Sequence, residues 1–248
     1  GKGSEILENI EKVDFKGRRL KVRYFDKFGT ETDRPEFSKS LPKETTVKTV
    51  IEGYLQALGG REKLSEVTSI ETKAEASMQG MKIEVSSRST SKYQLRVEVS
   101  MMGNVMQKTV VNSKSGYNEM QGQKMKMNEK EFQVALKNAS IFPELSSDFE
   151  TIKLMGIVDV DGVAAYEIKW SDSKTIYFST KDFLKIKAVD TIEMGGQSQS
   201  SESIYSDYKS INGILFPHKT SQTVGPQKID FVVQSIRLNQ KMEDQLFE

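Results

Sequence analysis

The sequence predicts a mainly β protein: one large curved antiparallel sheet, an open half-barrel, with helices packed on its concave side. Three observations carry this. First, several runs alternate apolar and polar residues with period two. Met81, Ile83 and Val85 alternate with Lys82 and Glu84, and Leu95, Val97, Val99 and Met101 with Arg96, Glu98 and Ser100. Ala164, Tyr166, Ile168 and Trp170 alternate with Ala165, Glu167 and Lys169, and Leu184, Ile186 and Ala188 with Lys185 and Lys187. One face of each run can be buried while the other stays wet. Second, turn signals separate the runs: Gln79-Gly80, Gly103-Asn104, Ser115-Gly116, Gln121-Gly122, Asp161-Gly162, Gly195-Gly196 and Asn212-Gly213. Third, strong helical spacing is confined to two stretches. Roughly ten or eleven strands fit between residues 67 and 238, and a sheet of that size curls.

Residues 1–42 read as a connector or edge hairpin following a missing upstream region. Arg18 to Phe25 fits one strand, Asp26-Lys27-Phe28-Gly29 fits a turn, and Pro35 and Pro42 interrupt the stretch beyond that turn. Residues 43–248 form the open-barrel domain. Its first helix is capped by Thr45 or Thr46. It carries Val47, Val50, Ile51, Tyr54, Leu55 and Leu58 at spacings of three and four, and it stops at Gly59-Gly60. Arg61 to Val67 adds a further helical turn. A helical insert breaks the strand pattern at Glu129–Ala139, with Phe132, Ala135, Leu136 and Ala139 on one side, and Pro143 opens a short second helix. The polar stretch Gly195 to Ser203 reads as a mobile hairpin tip. The inside of a curved sheet is the natural place for the apolar faces of both helices.

Composition excludes several functions. Lys plus Arg is 36 and Asp plus Glu is 35, a net charge of +1, which argues against a nucleic-acid partner. With no cysteine and one histidine, His218, the chain holds neither a thiolate metal site nor a histidine-built zinc centre. No apolar run reaches the roughly 18 residues of a membrane-spanning helix. The opening Gly1-Lys2-Gly3-Ser4 runs straight into Glu5-Ile6-Leu7-Glu8 without a signal-peptide pattern, which reads as a cloning remnant or a cut through a longer protein. No cofactor is implied, and no residue is assigned a catalytic or metal-binding role.

His218 lacks a neighbouring nucleophile or orienting partner in any motif, so it reads as an ordinary strand histidine. Asp159 and Asp161 flank a hairpin, where aspartate favours local hydrogen bonds. Methionine is more informative: eight of eleven lie between residues 78 and 127, namely Met78, Met81, Met101, Met102, Met106, Met120, Met125 and Met127. Adaptable apolar surfaces overuse this flexible, polarizable side chain, although it also fills cores. The candidate apolar-ligand site is therefore Met78, Met81, Met101, Met106, Tyr166 and Trp170. Core packing is the competing reading of the same residues.

Four separated segments stand together: Tyr54-Leu55-Gln56-Ala57-Leu58-Gly59-Gly60-Arg61-Glu62-Lys63-Leu64, then Ala76-Ser77-Met78-Gln79-Gly80-Met81, then Tyr205-Ser206-Asp207-Tyr208 with Asn212-Gly213 and Phe216-Pro217, and finally Asp244-Gln245-Leu246-Phe247-Glu248. They resemble outer-membrane lipoprotein-sorting-like envelope proteins. The resemblance implies a LolA/LolB-like half-barrel, whose carriers hold lipoprotein acyl chains in the concavity, and a place in the periplasm or cell envelope. The layout of Lys21 to Leu41 ahead of that helix also looks like the C-terminal portion of insulinase-type (pitrilysin family) zinc peptidases of Gram-negative envelopes. That second resemblance implies a non-catalytic accessory or binding domain. Its partners would be the upstream peptidase domains, whose H-x-x-E-H motif is absent here. The alternative is a free-standing periplasmic carrier of lipid acyl chains or apolar peptide segments. A third reading, from a different class, is a small-substrate hydrolase centred on His218.

Overall fold

A computed structural model describes residues 41–248 except 79, 147–148 and 195–196, together with four two-residue strands upstream. Those upstream strands form two ladders, Asp14–Phe15 with Arg18–Arg19 and Tyr24–Phe25 with Glu31–Thr32. The two ends of the single strand expected over Arg18 to Phe25 belong to different ladders, and residues 20–23 between them lie outside the described residues. The turn expected at Asp26 to Gly29 lies outside the described residues, as do residues 195–196 of the tip expected over Gly195 to Ser203, while the rest of that stretch continues the sheet as part of the strand Gln197–Ile211.

The domain is one antiparallel sheet of thirteen strands. In chain order they are β1 (Ser69–Met78), β2 (Met81–Thr90), β3 (Gln94–Met101), β4 (Asn104–Val111), β5 (Gly116–Met120), β6 (Gln123–Lys126), β7 (Lys153–Val160), β8 (Val163–Ser171), β9 (Lys174–Ser179), β10 (Lys185–Met194), β11 (Gln197–Ile211), β12 (Ile214–Val224) and β13 (Gln227–Leu238). The expected ten or eleven strands fall short of thirteen because pieces such as the four-residue β6 are too short to display alternation. Positive φ at Met102-Gly103, Gln121-Gly122, Asp161-Gly162 and Asn212-Gly213 gives four hairpins the two-residue turns that match strand twist.

The strand order is β6-β5-β4-β3-β2-β1-β13-β12-β11-β10-β9-β8-β7. Every neighbour is sequential except one: β1, the first strand, pairs with β13, the last. Ile70 lies opposite Leu238 and Ala74 opposite Val233. The two free edges are β6 and β7, which are consecutive in the chain. Between them runs the helical insert in place of a hairpin turn, so the sheet is a meander that does not close.

Helix α1 (Val47–Leu58) begins at Thr46, whose Oγ1 accepts from the Thr49 amide at 3.2 Å while Thr49 Oγ1 accepts from the Thr46 amide at 2.8 Å. It buries Val50, Ile51, Tyr54, Leu55 and Leu58. Gly59 ends it with φ of 139°, and a Cβ there would stand 2.5 Å from the Gly213 carbonyl oxygen. Only glycine lets the helix end press against the β11–β12 turn. Helix α2 (Arg61–Ser65) comes immediately after. Helix α3 (Glu129–Asn138) starts at Asn128, which forms a reciprocal cap with Glu131. A 3-10 turn covers Pro143–Ser146 and another covers Asp244–Phe247.

The core gathers around α1. One contiguous cluster joins its buried face to Ile157 of β7, Tyr166 and Ile168 of β8, Ile176 and Phe178 of β9, Ile214 of β12 and Leu238 of β13. Laid flat, the strands from β7 to β13 would span about 29 Å at ~4.8 Å per strand. A helix only ~10 Å across reaches them because the sheet curls around it. Tyr54 packs on Phe178 with ring centroids 5.0 Å apart.

Phe178 is fully buried, so Phe178→Ala is expected to lower the unfolding free energy by about 3–5 kcal/mol in urea denaturation. On the outer face, Glu98 accepts from Arg96 at 2.7 Å, and this hydrogen bond holds its carboxyl below the usual 4.5. A depressed native pKa stabilises the fold above the unfolded value, and that contribution is lost as pH falls through the native value. Glu98→Gln is therefore expected to lower the melting temperature at neutral pH, with the gap closing on acidification below 4.5.

Candidate functional site

Cross-strand register sorts the side chains of β1–β6 into two faces, because direct partners point the same way. One face carries the rows Ile70–Ser89–Leu95–Val111–Gly116, Thr72–Ser87–Val97–Thr109–Asn118–Met125, Ala74–Val85–Val99–Gln107–Met120–Gln123, Ala76–Ile83–Met101 and Met78–Met81. None of these residues is charged. Every Asp, Glu, Lys and Arg of the six strands lies on the opposite face, where Glu71, Arg88, Glu98 and Arg96 form a connected ion-pair ladder. The C-terminal 3-10 turn seals part of that outer face: Arg96 donates to the Leu246 carbonyl and Asn112 to the Phe247 carbonyl.

The uncharged face is the inner one, since Ile70, Thr72, Ser87 and Ser89 share a cavity with Tyr54 and Leu58 of α1. Its two halves differ in cover. Under α1, Ile168, Ile176 and Phe178 are fully buried. Over β1–β6 the inner residues Val85, Val97, Val99 and Met101 are only half-buried, and Met81, Met120 and Met125 reach 36%, 53% and 52% exposure. Helix α3 gives this half little cover, as it buries none of its own residues. An uncharged, partly open concave face of this extent marks an interaction surface.

Where the covered and open halves meet, a cavity of about 280 Å³ lies between α1, the Pro143–Ser146 turn and strands β1, β2 and β12. Lys185 and Glu144 both line it, their Nζ and Oε1 3.5 Å apart, with side-chain exposures of 22% and 4%. The Lys185 ammonium also stands 5.5 Å from the Tyr54 ring centroid and 5.4 Å from that of Tyr205. Tyr208 donates to the Lys185 carbonyl at 2.7 Å. Burial disfavours the charged form of Lys185, but the oxygens of Tyr54, the Glu144 carboxylate, Tyr205 and Tyr208 around it outweigh that, and its pKa lies well above the usual value. Burial likewise keeps the Tyr54 and Tyr208 hydroxyls protonated.

The six candidate residues divide between the halves. Met78, Met81 and Met101 sit together at one end of the open inner face, with Met78 opposite Met81 and Met101 opposite Ile83. Met106 is the extra residue at the β4 bulge and is 37% exposed. Tyr166 and Trp170 lie on β8 within the helix-covered core, where Tyr166 stacks on Phe183 at 5.8 Å. The sequence pattern marks neither Lys185 nor Glu144. Lys185 presents itself as the polar partner of an alternating strand, and a register shift between Tyr177 and Phe178 turns it inward. His218 is a buried strand residue whose Nδ1 lies 3.0 Å from the Phe216 carbonyl oxygen. Asp159 accepts from the Gly162 amide, as its turn position implied. Among the described residues, no group of three or more His, Cys, Asp or Glu side chains is placed to hold a metal ion.

Two solved structures share this architecture. One is a LolA superfamily protein from Nitrosomonas europaea, 11% identical with a TM-score of 0.52, over 82% of this chain and 98% of that one. The fold is LolA-like. The other is a DUF1329 family protein from Desulfovibrio piger, also 11% identical with a TM-score of 0.52, over 82% of this chain and 97% of that one. No family profile and no curated protein sequence matches the chain. At such identity the likeness concerns the fold, and the chemistry must be read from the side chains.

Lys185→Met leaves the Glu144 carboxylate buried without its cation and is expected to cost about 3–5 kcal/mol in urea unfolding, whereas Lys185→Met with Glu144→Leu recovers most of that loss.

Proposed function

We propose that this domain is a non-catalytic binding module that holds an apolar chain, such as a lipid or lipoprotein acyl chain, against the inner face of β1–β6. The carrying observation is the segregation of charge. Six adjacent strands put all their ionic groups outside, and their uncharged inner face stays partly open. A sheet face meant only as core would be sealed, as the other half is by α1. The LolA-like fold supports the same reading, because the family resemblance of Tyr54–Leu64 and Tyr205–Pro217 points to carriers of acyl chains. It also supports a place in the periplasm or cell envelope. No helix among the described residues is long and apolar enough to cross a membrane.

Within this reading Met78, Met81 and Met101 line the distal end of the bound chain and adapt to its shape. Met106 at the bulge would extend that lining, while Tyr166 and Trp170 support the core beneath α1. A role as accessory domain to an upstream zinc peptidase rests on the layout of residues 21–64 alone. The carrier reading has the inner face as well and is preferred.

Solvent extraction of the purified chain coupled to mass spectrometry is expected to release bound lipid. Val97→Asp, which places a charge in the middle of the uncharged face, is expected to weaken binding of a fluorescent fatty acid by about tenfold or more. Lys73→Ala on the outer face should leave binding unchanged. Equal affinity in the Val97→Asp variant and the parent would remove the inner face as the site.

A further inference from the structure

The charge-free face ends at a charge. Its Ile70 and Ser89 row runs into the cavity that holds Lys185, so the ammonium stands at the head of a groove whose remaining floor over β1–β6 is uncharged. A purely apolar ligand would gain nothing from that cation. From Ile70 to Met78 the β1 row extends for about 26 Å at ~3.3 Å per residue. That exceeds the ~15 Å occupied by one leaflet's chains in a bilayer. The groove therefore has the form of an amphiphile: a long uncharged floor and one cationic end.

Glu144 shows what that end accepts. Its carboxylate comes from the Pro143–Ser146 turn, outside the sheet, and contacts Lys185 through a single 3.5 Å approach. That distance is long for a charge-assisted hydrogen bond, which would fall near ~2.7–2.9 Å. The Tyr54 hydroxyl is another polar neighbour, and an ammonium can donate three hydrogen bonds, so a closer anion than Glu144 can still be accepted. The turn itself is held by Phe142, packed against Phe216, and by Arg61, which donates to the Leu145 carbonyl. Neither contact depends on the Glu144 side chain.

Building on the carrier reading, we infer that Lys185 receives the anionic head of an amphiphilic ligand, a carboxylate or phosphate, and that Glu144 occupies this position when the groove is empty. The internal carboxylate keeps the buried ammonium paired without ligand and competes with the incoming head. Discrimination for acids over neutral lipids then resides in one side chain, and Glu144 sets its strength. That the ammonium is held well above its usual pKa is consistent with a cation permanently ready for an anion.

The test compares three probes of equal chain length on the full chain: palmitate, monohexadecyl phosphate and methyl palmitate, each measured by isothermal titration. At least one anion is expected to bind about tenfold or more tightly than the ester, and the better anion identifies the head. Glu144→Gln should tighten that anion and leave the ester unchanged. Lys185→Met combined with Glu144→Leu, which removes both charges and is checked for folding by circular dichroism, should bind all three probes alike. Ester and acids of equal affinity in the parent would overturn the head-group assignment and leave the carrier reading standing. Retained discrimination in the double variant would also overturn it. Failure of every probe to bind would sink both.

Discussion

The pairing of β1 with β13 governs the rest of this molecule. It joins the beginning and end of the domain, which lie 171 positions apart where Thr68 meets Asn239. Every other strand pair can form locally between hairpin neighbours or near them, while this one cannot. Side chains lock its end: Asn239 Oδ1 accepts from the Thr68 amide at 2.8 Å, and Ser69 donates to the Gln240 carbonyl at 2.7 Å. Once the seam is set, α1, which immediately precedes β1, has nowhere to lie but along the inner face. The free edges are then forced to be β6 and β7. Long-range pairing of this kind carries a loop-closure cost before any contact compensates it.

The seam also divides the inner face into halves with different physics. On the β7–β13 side a single amphipathic helix supplies enough apolar surface to seal the sheet, and the cluster from Val50 to Phe178 is buried. On the β1–β6 side no described helix does so, and the protein keeps the face soluble by composition. Serine, threonine, asparagine and glutamine intersperse with alanine, valine and methionine, and the ionic groups are exiled to the outer rows. An uncharged face with scattered hydroxyls tolerates water when empty and a hydrocarbon when occupied, at a smaller desolvation cost than an ionic one. Glu144 and Lys185 sit where these regimes meet, and their pairing neutralises the charge buried there.

Much of the fold was legible along the chain. Thr46, Gly59 and Gly60 bracket α1, the spacing over Glu129–Ala139 and Pro143 mark the helical insert, and paired residues such as Asn212-Gly213 place hairpins. These are local backbone preferences, and neighbouring residues suffice to express them. Period-two alternation likewise announced an inner and an outer face in β2, β3 and β8. It failed in β6, which is too short, and in β10, where a register shift turns Lys185 from a nominally outward position into the cavity.

The antiparallel meander, its helices and the alternation that separates wet from dry faces were determined by the sequence itself, because each depends on residues a few positions apart. Only the tertiary structure decided which methionines meet, which half of the inner face α1 leaves open, and that Lys185 and Glu144, 41 positions apart by number, share one cavity. Those outcomes depend on the β1–β13 seam, the strand bulges and the curvature of the sheet. They are collective properties of packing, and no short window of sequence contains them.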